Sequence, residues 1–432
     1  MIPIPYFSDE YYRRSEDTLN HALEHVKVYK EWQAFDKRNA PVDERYKAMP
    51  VLTKKEIRES FPGGLVPDGL DVEDAIEGGI IDYVKTSGTT EEVVTNIWNQ
   101  QWWDASEAAS WKLNNHTQHL NHHSREAQLA SALSVGYLSD QDLSMQARTL
   151  ERFLFLNEKG NANAWQDRHY ERMIRELKEY GPAVLEANPS LLARFSWWAA
   201  RKSVRLDSIP VVLFTYELIS EIQLRQIRKV FPVPLVSSYG STETGYVFMQ
   251  CEHGTYHQNT DFCRVDFRPL KEKHGGPLKG HILVTTFGNP WTSIIRFDVG
   301  DLVSLKPEQT CPCGRKEGYM LSAIEGRTTN YTLKPDGTVV TNHQLDEALA
   351  QSPSLLDYQL HQLSEKDIRM KAIMEESSGR ARKELIDILY GIYGLTSNID
   401  IEMCQKIEPS ASGKFFRSSS NLKTSLSEIL QN

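Results

Sequence analysis

The spacing of apolar residues predicts helices at the start of the chain and a strand that ends just before residue 86. Charged and aromatic segments such as YKEWQAFDKRN and LTKKEIRESFP indicate a largely helical stretch over residues 1 to 75. GGIIDYVK is a short apolar run rich in β-branched residues, which predicts a strand leading directly into the loop TSGTT. We expect the long segment from Trp102 to Phe195 to be mostly helical.

Strand and helix patterns then alternate. SIPVVLFTYE predicts a buried strand and LISEIQLRQIRKVFP a helix, at whose start Ser220 and Gln223 have the spacing of a capping box. VPLVSSYGSTETG again predicts a strand followed by a loop. This alternation is typical of an α/β sheet, in which ligands gather beyond the strand ends.

The pattern changes after IEGRTTN. IRMKAIM and IDIEMCQKI alternate apolar and polar residues, and the intervening ARKELIDILYGIYG predicts a helix. These segments indicate a small α+β domain of about 100 residues, a size that can fold alone. The predicted fold class is therefore α/β, with a large N-terminal domain of mixed sheets and helices over 1–327 and a small, mobile α+β lid over 328–432.

The composition of the chain limits the classes of partner that the protein is expected to bind. Forty-nine Lys and Arg residues stand against 58 Asp and Glu residues in 432, a net charge of -9, and no basic stripe suggests nucleic acid. No targeting segment and no run of about 18 apolar residues stand out, so we expect a cytoplasmic protein that does not bind membranes. Five cysteines in a chain of 432 residues are too few for a disulfide framework, so we expect them to bind metal or to act as reactive thiols.

Five short motifs carry the chemistry. TSGTT at 86–90 offers hydroxyl donors around a glycine, which suits phosphate, although such clusters are usually plain turns. SSYGSTETG at 237–245, IIRFDVGDLV at 294–303, IEGR at 324–327 and ASGKFFR at 411–417 follow in order. Together they resemble the adenylate-forming superfamily of acyl-CoA synthetases and adenylation domains. Chain length and the segment CPCGR are most similar to the phenylacetate-CoA ligase and related coenzyme synthetase branch.

This resemblance implies an ATP-dependent ligase. The enzyme would activate a small carboxylic acid, an aryl acid being favoured, as its acyl adenylate, and would then transfer the acyl group to a thiol. Joining two anions concentrates negative charge in the transition state, so a cationic side chain and Mg2+ would be needed. The implied cofactors and partners are ATP, Mg2+, and CoA or the phosphopantetheine of an acyl carrier protein, with a homodimer as one allowed assembly.

The resemblance also assigns roles to residues. Ser87, Gly88, Thr89 and Thr90 would hold the β- and γ-phosphates. Tyr239 would stack on adenine, Thr242 would reach the α-phosphate and Glu243 would hold Mg2+. Asp301 would bind both ribose hydroxyls, with Arg327 nearby, and Lys414 would bridge the acyl carboxylate and the phosphate. The remaining nucleotide-binding residues would be Glu217, Ser238 and Gly240.

Two segments depart from the family pattern. Glu91 and Glu92 stand where the family has glycine and often a basic residue, and at about 4 Å two like charges cost about 4 kcal/mol at an effective dielectric near 20. Either they point away from the triphosphate or ATP binds weakly. We expect the former, with both glutamates in the first turn of a helix. Thr329 stands at the hinge predicted for 328–330, where the family has Asp or Lys.

Two groups of residues suggest metals. Cys251, His257, Cys311 and Cys313 would form a closed structural zinc site, as in some members of the branch, with His253 as an alternative to His257. Without the resemblance, these cysteines would be expected to be buried thiols. His116, His119, His122 and His123 have helical spacing, but a solvated face is the favoured interpretation.

The sequence identifies neither the carboxylic acid nor the acceptor of the acyl group. Six aromatic residues could line an acyl pocket, although most of them are expected to be core: Trp102, Trp103, Trp111, Tyr137, Trp197 and Trp198. Two alternatives to the ligase remain, a non-catalytic nucleotide- or acid-binding protein of the same fold and an enzyme that transfers the adenylate to an amine.

Overall fold

The start of the chain is helical, as predicted. A computed structural model describes residues 2–86, 93–376, 378–409, 415–422 and 424–431. Leu19, Leu23 and Tyr46 are fully buried and join the core formed with the strands of the large sheet. The N-terminal helices are α1 (Asp9–His25), α2 (Lys27–Lys30), α3 (Val42–Ala48), α4 (Lys54–Ser60) and α5 (Val72–Glu77).

A hairpin flanks the TSGTT loop. Strand β1 (Asp82–Lys85) pairs antiparallel with β2 (Thr95–Trp98), and α6 (Gln100–Trp111) follows, with Asn99 capping its first turn. The helix predicted to begin at Glu91 is therefore wrong: residues 95 to 98 form a strand and the helix starts at Gln100. Ser87 to Glu92 lie outside the described residues.

A large sheet changes its pairing halfway across. Within the described part of the chain it has 12 strands, in the order β11-β12-β13-β14-β10-β9-β8-β7-β6-β3-β5-β4. Strand β8 is parallel to β7 and antiparallel to β9, so it joins a mainly parallel half to an antiparallel half. The strands are β3 (Glu126–Leu129), β4 (Thr149–Leu150), β5 (Phe153–Phe155), β6 (Val184–Ala187), β7 (Val212–Phe214), β8 (Leu235–Ser241), β9 (Gly245–Gln250), β10 (Tyr256–Gln258), β11 (Cys263–Pro269), β12 (Lys279–Thr286), β13 (Phe297–Leu305) and β14 (Met320–Arg327).

Helices cover the parallel half. The prediction of a mostly helical segment from Trp102 to Phe195 is wrong in part, because β3 to β6 lie within it. These strands have two to four residues, too short for periodicity to separate them from helix. The capping box of Ser220 and Gln223 is confirmed. The helices are α7 (Ala132–Val135), α8 (Asp167–Tyr180), α9 (Pro189–Arg201) and α10 (Glu221–Ile227).

The rest of the chain forms a smaller α+β unit, as the changed pattern predicted. Its main sheet has the order β19-β18-β17-β20 and packs against α12. Near the C-terminus, Leu430 pairs with Leu270 of the large sheet. The elements are β15 (Thr332–Leu333), β16 (Val339–Val340), α11 (Asn342–Leu349), β17 (Leu355–Gln362), β18 (Asp367–Met374), α12 (Gly379–Tyr393), β19 (Asn398–Met403), β20 (Ser418–Ser420) and α13 (Leu426–Ile429).

In the described ranges, no helix combines the length and the apolar character needed to cross a lipid bilayer.

Candidate functional site

Tyr239, Asp301 and Arg327 meet at one edge of the large sheet. The Tyr239 hydroxyl donates to Asp301 Oδ2 at 2.8 Å, and Arg327 Nε lies 3.4 Å from Asp301 Oδ1. Asp301 and Arg327 are cross-strand partners in β13 and β14, so the sheet register itself places the cation beside the carboxylate. Arg327 Nη1 also donates to Val299 O at 2.7 Å. Three motifs distant in sequence thus form one fixed polar group.

The proton of Tyr239 is firmly held. Burial, and then the neighbouring negative charge of Asp301, raise the pKa of Tyr239 well above its usual value. The phenol therefore stays neutral at physiological pH and acts as a donor. Asp301 is thereby oriented by a phenol on one oxygen and approached by a guanidinium on the other.

Gly240 and Gly300 allow this edge to form. A Cβ on Gly240 would lie 2.2 Å from Gly245 O, closer than two atoms can approach. Gly300 has φ +76°, a left-handed angle that side chains disfavour, where the pairing of β13 with β12 is irregular, and Gly300 O accepts two hydrogen bonds from Thr328. The Thr328 backbone N–H and hydroxyl donate at 2.9 and 3.2 Å, so the start of the predicted hinge is held to the large sheet in this arrangement.

Thr242 and Glu243 line a cavity beside this group. Glu243 is only 8% exposed, and no side chain of the described residues hydrogen-bonds or ion-pairs with its carboxylate. The amide nitrogen of the buried Asn96 has no hydrogen-bond partner either, among the same residues. The cavity therefore combines a carboxylate and an amide donor that are both free to bind a ligand. Its lining is Asn96, Ile97, Trp98, Asn99, Trp102, Trp103, Thr242, Glu243, Asn289 and Thr292.

Only two of the six predicted aromatic residues lie at this cavity. Trp102 and Trp103 are among its lining residues. The other four lie elsewhere: Trp111 is buried core, Tyr137 stacks on Phe155, Trp198 stacks on Tyr170, and Trp197 contacts Arg201. The expectation that most of them are structural agrees with this placement.

Glu217 contacts both parts of the chain. It follows β7 and accepts hydrogen bonds from the Ser190 hydroxyl at 2.7 Å and from the Phe415 backbone N–H at 3.1 Å. Phe415 follows Lys414 in sequence, but Lys414 itself lies outside the described residues. Ser238 precedes Tyr239 on β8, and its buried hydroxyl has no partner among the described residues.

The four predicted zinc ligands come together. Their ligand atoms all lie within 4.8 Å of one another, with Cys251 Sγ 3.6 Å from Cys311 Sγ and Cys313 Sγ 3.3 Å from His257 Nε2. These are the separations of ligands around one ion, and all five cysteines of the chain are free. His253, the alternative ligand, is not part of the group.

The other predicted histidine group is not on a helix. Helix α6 ends at Trp111, and residues 112 to 123 form turns, so the predicted helical spacing is wrong here. The described residues contain one further cluster of ligand type, Asp142, Glu158 and His169, but Lys159 and Arg172 already neutralise its carboxylates. Neither group offers a free metal site.

Three buried glutamates near the cavity were not anticipated. Glu107 accepts from the Tyr246 hydroxyl at 2.7 Å, and Arg152 lies 3.0 Å from Glu126 and 3.9 Å from Glu107. Glu186 accepts from Thr215 at 2.6 Å. Burial first, and then Glu126, raise the pKa of Glu107 to about 8, and the pKa of Glu186 is also raised. A glutamate within an apolar strand, as in AVLEA, was the sequence signal for this cluster.

The cluster predicts that stability falls as pH rises from about 4.5 to about 8. Over that range the unfolded chain loses the Glu107 proton while the folded chain keeps it, so unfolding becomes more favourable. Glu107→Gln, which stays neutral and can still accept from Tyr246, should raise the melting temperature at pH 8 by about 5 °C and leave it unchanged at pH 4.5. Thermal melts across this range test it. The exposed Glu59→Gln is the control, and identical pH profiles for Glu107→Gln and the wild type would contradict the prediction.

The fold is that of known CoA ligases. No family model matches the chain, and no curated protein matches its sequence. Among solved structures, 2-hydroxyisobutyryl-CoA ligase in the postadenylation state aligns with a TM-score of 0.71 at 16% identity, covering 95% of this chain and 89% of that one. An anthranilate CoA ligase aligns at 0.53 with 12% identity, covering 78% and 65% of the two chains. A benzoate CoA ligase from Burkholderia xenovorans LB400 aligns at 0.52 with 14% identity, covering 81% and 69%.

The similarity depends on the state of the neighbour. The same 2-hydroxyisobutyryl-CoA ligase in its thioesterification state, with CoA bound, aligns at only 0.56 over the same share of both chains. This chain therefore resembles the postadenylation arrangement more closely. The fold inferred from the motifs is confirmed: the chain has the fold of the adenylate-forming enzymes.

Proposed function

We propose that the protein is an ATP-dependent acid-thiol ligase, which activates a small carboxylic acid as its adenylate and transfers the acyl group to CoA. The observation that carries this proposal is the grouping of Tyr239, Asp301 and Arg327 beside the cavity that contains Glu243. A carboxylate held between a phenol and a guanidinium suits a diol such as ribose. The unpaired carboxylate of Glu243 suits a cation that accompanies phosphate.

Each residue of the proposed site would have a separate role in adenylation. Asp301 would accept hydrogen bonds from the ribose hydroxyls, and Tyr239, fixed through its hydroxyl, would present its ring to adenine. Glu243 would hold Mg2+, since a nearly buried carboxylate without a cationic partner among the described residues fits a hard dication. When bound, Mg2+ neutralises the phosphate charge. Thr242 would donate to the α-phosphate.

Two further parts of the proposal rest on the motifs. Ser87, Gly88, Thr89 and Thr90 would bind the outer phosphates, and Lys414 would bring a positive charge to the acid and the α-phosphate as they join. The segment after Lys414 is anchored close to the large sheet, because Phe415 binds Glu217. Ser238, Gly240 and Glu217 would support the nucleotide site by shaping its walls.

The acid would bind at the cavity beside Glu243, which has a volume of about 10 Å³ in this structure and would have to widen to admit it. Trp102 and Trp103 give it a flat apolar wall, and Asn96 offers an unused donor. The structural neighbours act on 2-hydroxyisobutyrate, anthranilate and benzoate, according to their names. We propose a small acid of this kind, aryl or short and polar, with CoA rather than a carrier protein as acceptor because two structures of the first neighbour hold CoA.

The Cys/His group would hold a structural zinc ion. Three thiols and one imidazole within 4.8 Å supply the four soft or borderline ligands that Zn2+ takes, with no place left for a substrate. Such a site also supports the phenylacetate-CoA ligase branch as the nearest part of the superfamily.

The proposal predicts pyrophosphate release that depends on a particular acid. Purified protein, Mg-ATP and a panel of benzoate, phenylacetate, anthranilate and short hydroxy acids should give release with one or a few members and none without acid. Adding CoA should convert the bound adenylate to a thioester, detected by mass spectrometry. The panel without Mg2+ is the control for the metal.

The alternatives give different results. A protein that binds ATP but releases no pyrophosphate with any acid would be a binding protein of the same fold. Product formed with an amine in place of CoA would point to amide synthesis.

A further inference from the structure

Helix α10 of the large domain packs against the smaller unit. Ile222, on α10, is buried in the apolar core of that unit together with Leu345 and Leu355. The smaller unit therefore completes its core with a side chain of the large domain. Any rotation of the unit has to expose this residue.

Arg225, one turn further along α10, binds three carbonyl groups of the smaller unit. Its Nη1 donates to Ala350 O at 3.0 Å, and its Nη2 donates to Ser352 O at 3.1 Å and to Leu355 O at 2.7 Å. Ala350 caps the C-terminal end of α11, where free carbonyls and the helix dipole favour a cation. One guanidinium thus caps a helix across the interface between the two units.

Arg417 makes the reciprocal contact from the smaller unit. It pairs with Asp346 at 2.5 Å within its own unit, donates to Leu218 O of the large domain at 3.0 Å and hydrogen-bonds Gln223. The guanidinium is nearly fully buried, so these contacts cannot be replaced by water without movement. Two residues earlier, Phe415 binds Glu217 beside the nucleotide site.

The comparisons show that such an interface can change. The same neighbouring ligase aligns better in its postadenylation state than in its thioesterification state, with TM-scores of 0.71 and 0.56 at equal coverage. The contacts of Arg225 therefore belong to the arrangement of the two units that resembles the postadenylation state.

We infer that Arg225 is a positioning residue for adenylation, which holds the smaller unit so that Phe415 and Arg417 stay docked beside Glu217. This inference rests on the proposed function. Arg225 contacts no substrate and acts only through the position of the smaller unit. Its loss should favour other arrangements of the two units and should slow adenylate formation without slowing thioester formation.

The experiment compares Arg225→Ala and Arg225→Lys with Arg228→Ala. Arg228 is the C-cap residue of the same helix, is exposed and pairs with Glu221 of its own domain, so it is a matched control. Hydrogen-deuterium exchange of the peptide that contains Phe415 should be about tenfold faster in Arg225→Ala than in the wild type, because charged hydrogen bonds are lost. Exchange in β18, inside the smaller unit, should stay the same. Arg225→Lys should lie between, since an ammonium group cannot span three carbonyls as a guanidinium does.

Activity provides the second measurement. In Arg225→Ala, pyrophosphate release should fall about tenfold, while thioester formation from added acyl adenylate and CoA should be at least as fast as in the wild type. Equal exchange at Phe415 in Arg225→Ala and wild type would overturn the inference. So would an equal fall in both half-reactions with a lower melting temperature, which would show a structural role. A wild type that releases no pyrophosphate would contradict the proposed function, and the exchange measurement would then decide the positioning role alone.

Discussion

Asp301→Ala is expected to weaken ATP binding by about hundredfold or more. Each hydrogen bond to a charged group contributes about 1.5 to 3 kcal/mol, and the proposed site uses two of them to hold the ribose. The substitution also leaves the Tyr239 phenol without its acceptor and Arg327 without its nearest carboxylate. Titration of the protein with a fluorescent ATP analogue measures the effect directly, without knowledge of the acid.

Two further variants separate ribose binding from side-chain positioning. Tyr239→Phe removes only the hydrogen bond to Asp301 and should weaken binding by about tenfold or less. Asp400→Ala removes an exposed aspartate of the smaller unit, paired with Arg369 at 3.7 Å, and should have no effect. Unchanged ATP binding in Asp301→Ala, with the melting temperature retained, would show that this edge of the sheet is not the nucleotide site.

The motifs anticipated which distant residues come together better than the hydrophobic pattern anticipated the elements around them. Tyr239, Asp301 and Arg327 are separated by up to 88 residues, yet the register of β13 and β14 places Asp301 beside Arg327, and the Tyr239 hydroxyl of β8 reaches Asp301. Motif order carried this information. The hydrophobic pattern of residues 126 to 187 did not reveal the strands there, because an apolar segment as short as Phe153–Phe155 looks the same whether it forms a helix or a strand.

Other features depend on contacts that no local pattern contains. Arg225 looks like an ordinary helix-surface cation, and only the fold places it against carbonyl groups more than 120 residues away. Glu107 lies on α6 beside tryptophans, and its raised pKa comes first from burial and then from the charge of Glu126. A single sequence shows such residues only as polar positions in apolar surroundings. The Cys and His residues of the proposed zinc site were easier to find, because paired Cys and His residues are rare and chemically distinctive.

Cys313→Ser is expected to abolish zinc binding and lower the melting temperature by about 10 °C. Breaking a structural metal site removes binding energy that acts as folding energy. The site lies next to β10, a strand of only three residues that connects β14 to β9 in the middle of the large sheet. Few backbone hydrogen bonds hold the sheet together there. His257 lies in β10, Cys251 follows β9, and Cys311 and Cys313 lie between β13 and β14, so the ion would tie β10 to the segments that flank it on both sides.

Metal content and stability must change together for this to hold. Elemental analysis of the wild type should give about one zinc per chain, and a strong chelator should lower its melting temperature toward that of Cys313→Ser. Cys404→Ser, which removes a thiol outside the cluster, should keep both the zinc and the melting temperature. A zinc-free wild type as stable as the chelated protein would leave Cys251, Cys311 and Cys313 as plain thiols. In that case β10 would be held between β14 and β9 by its strand pairing alone.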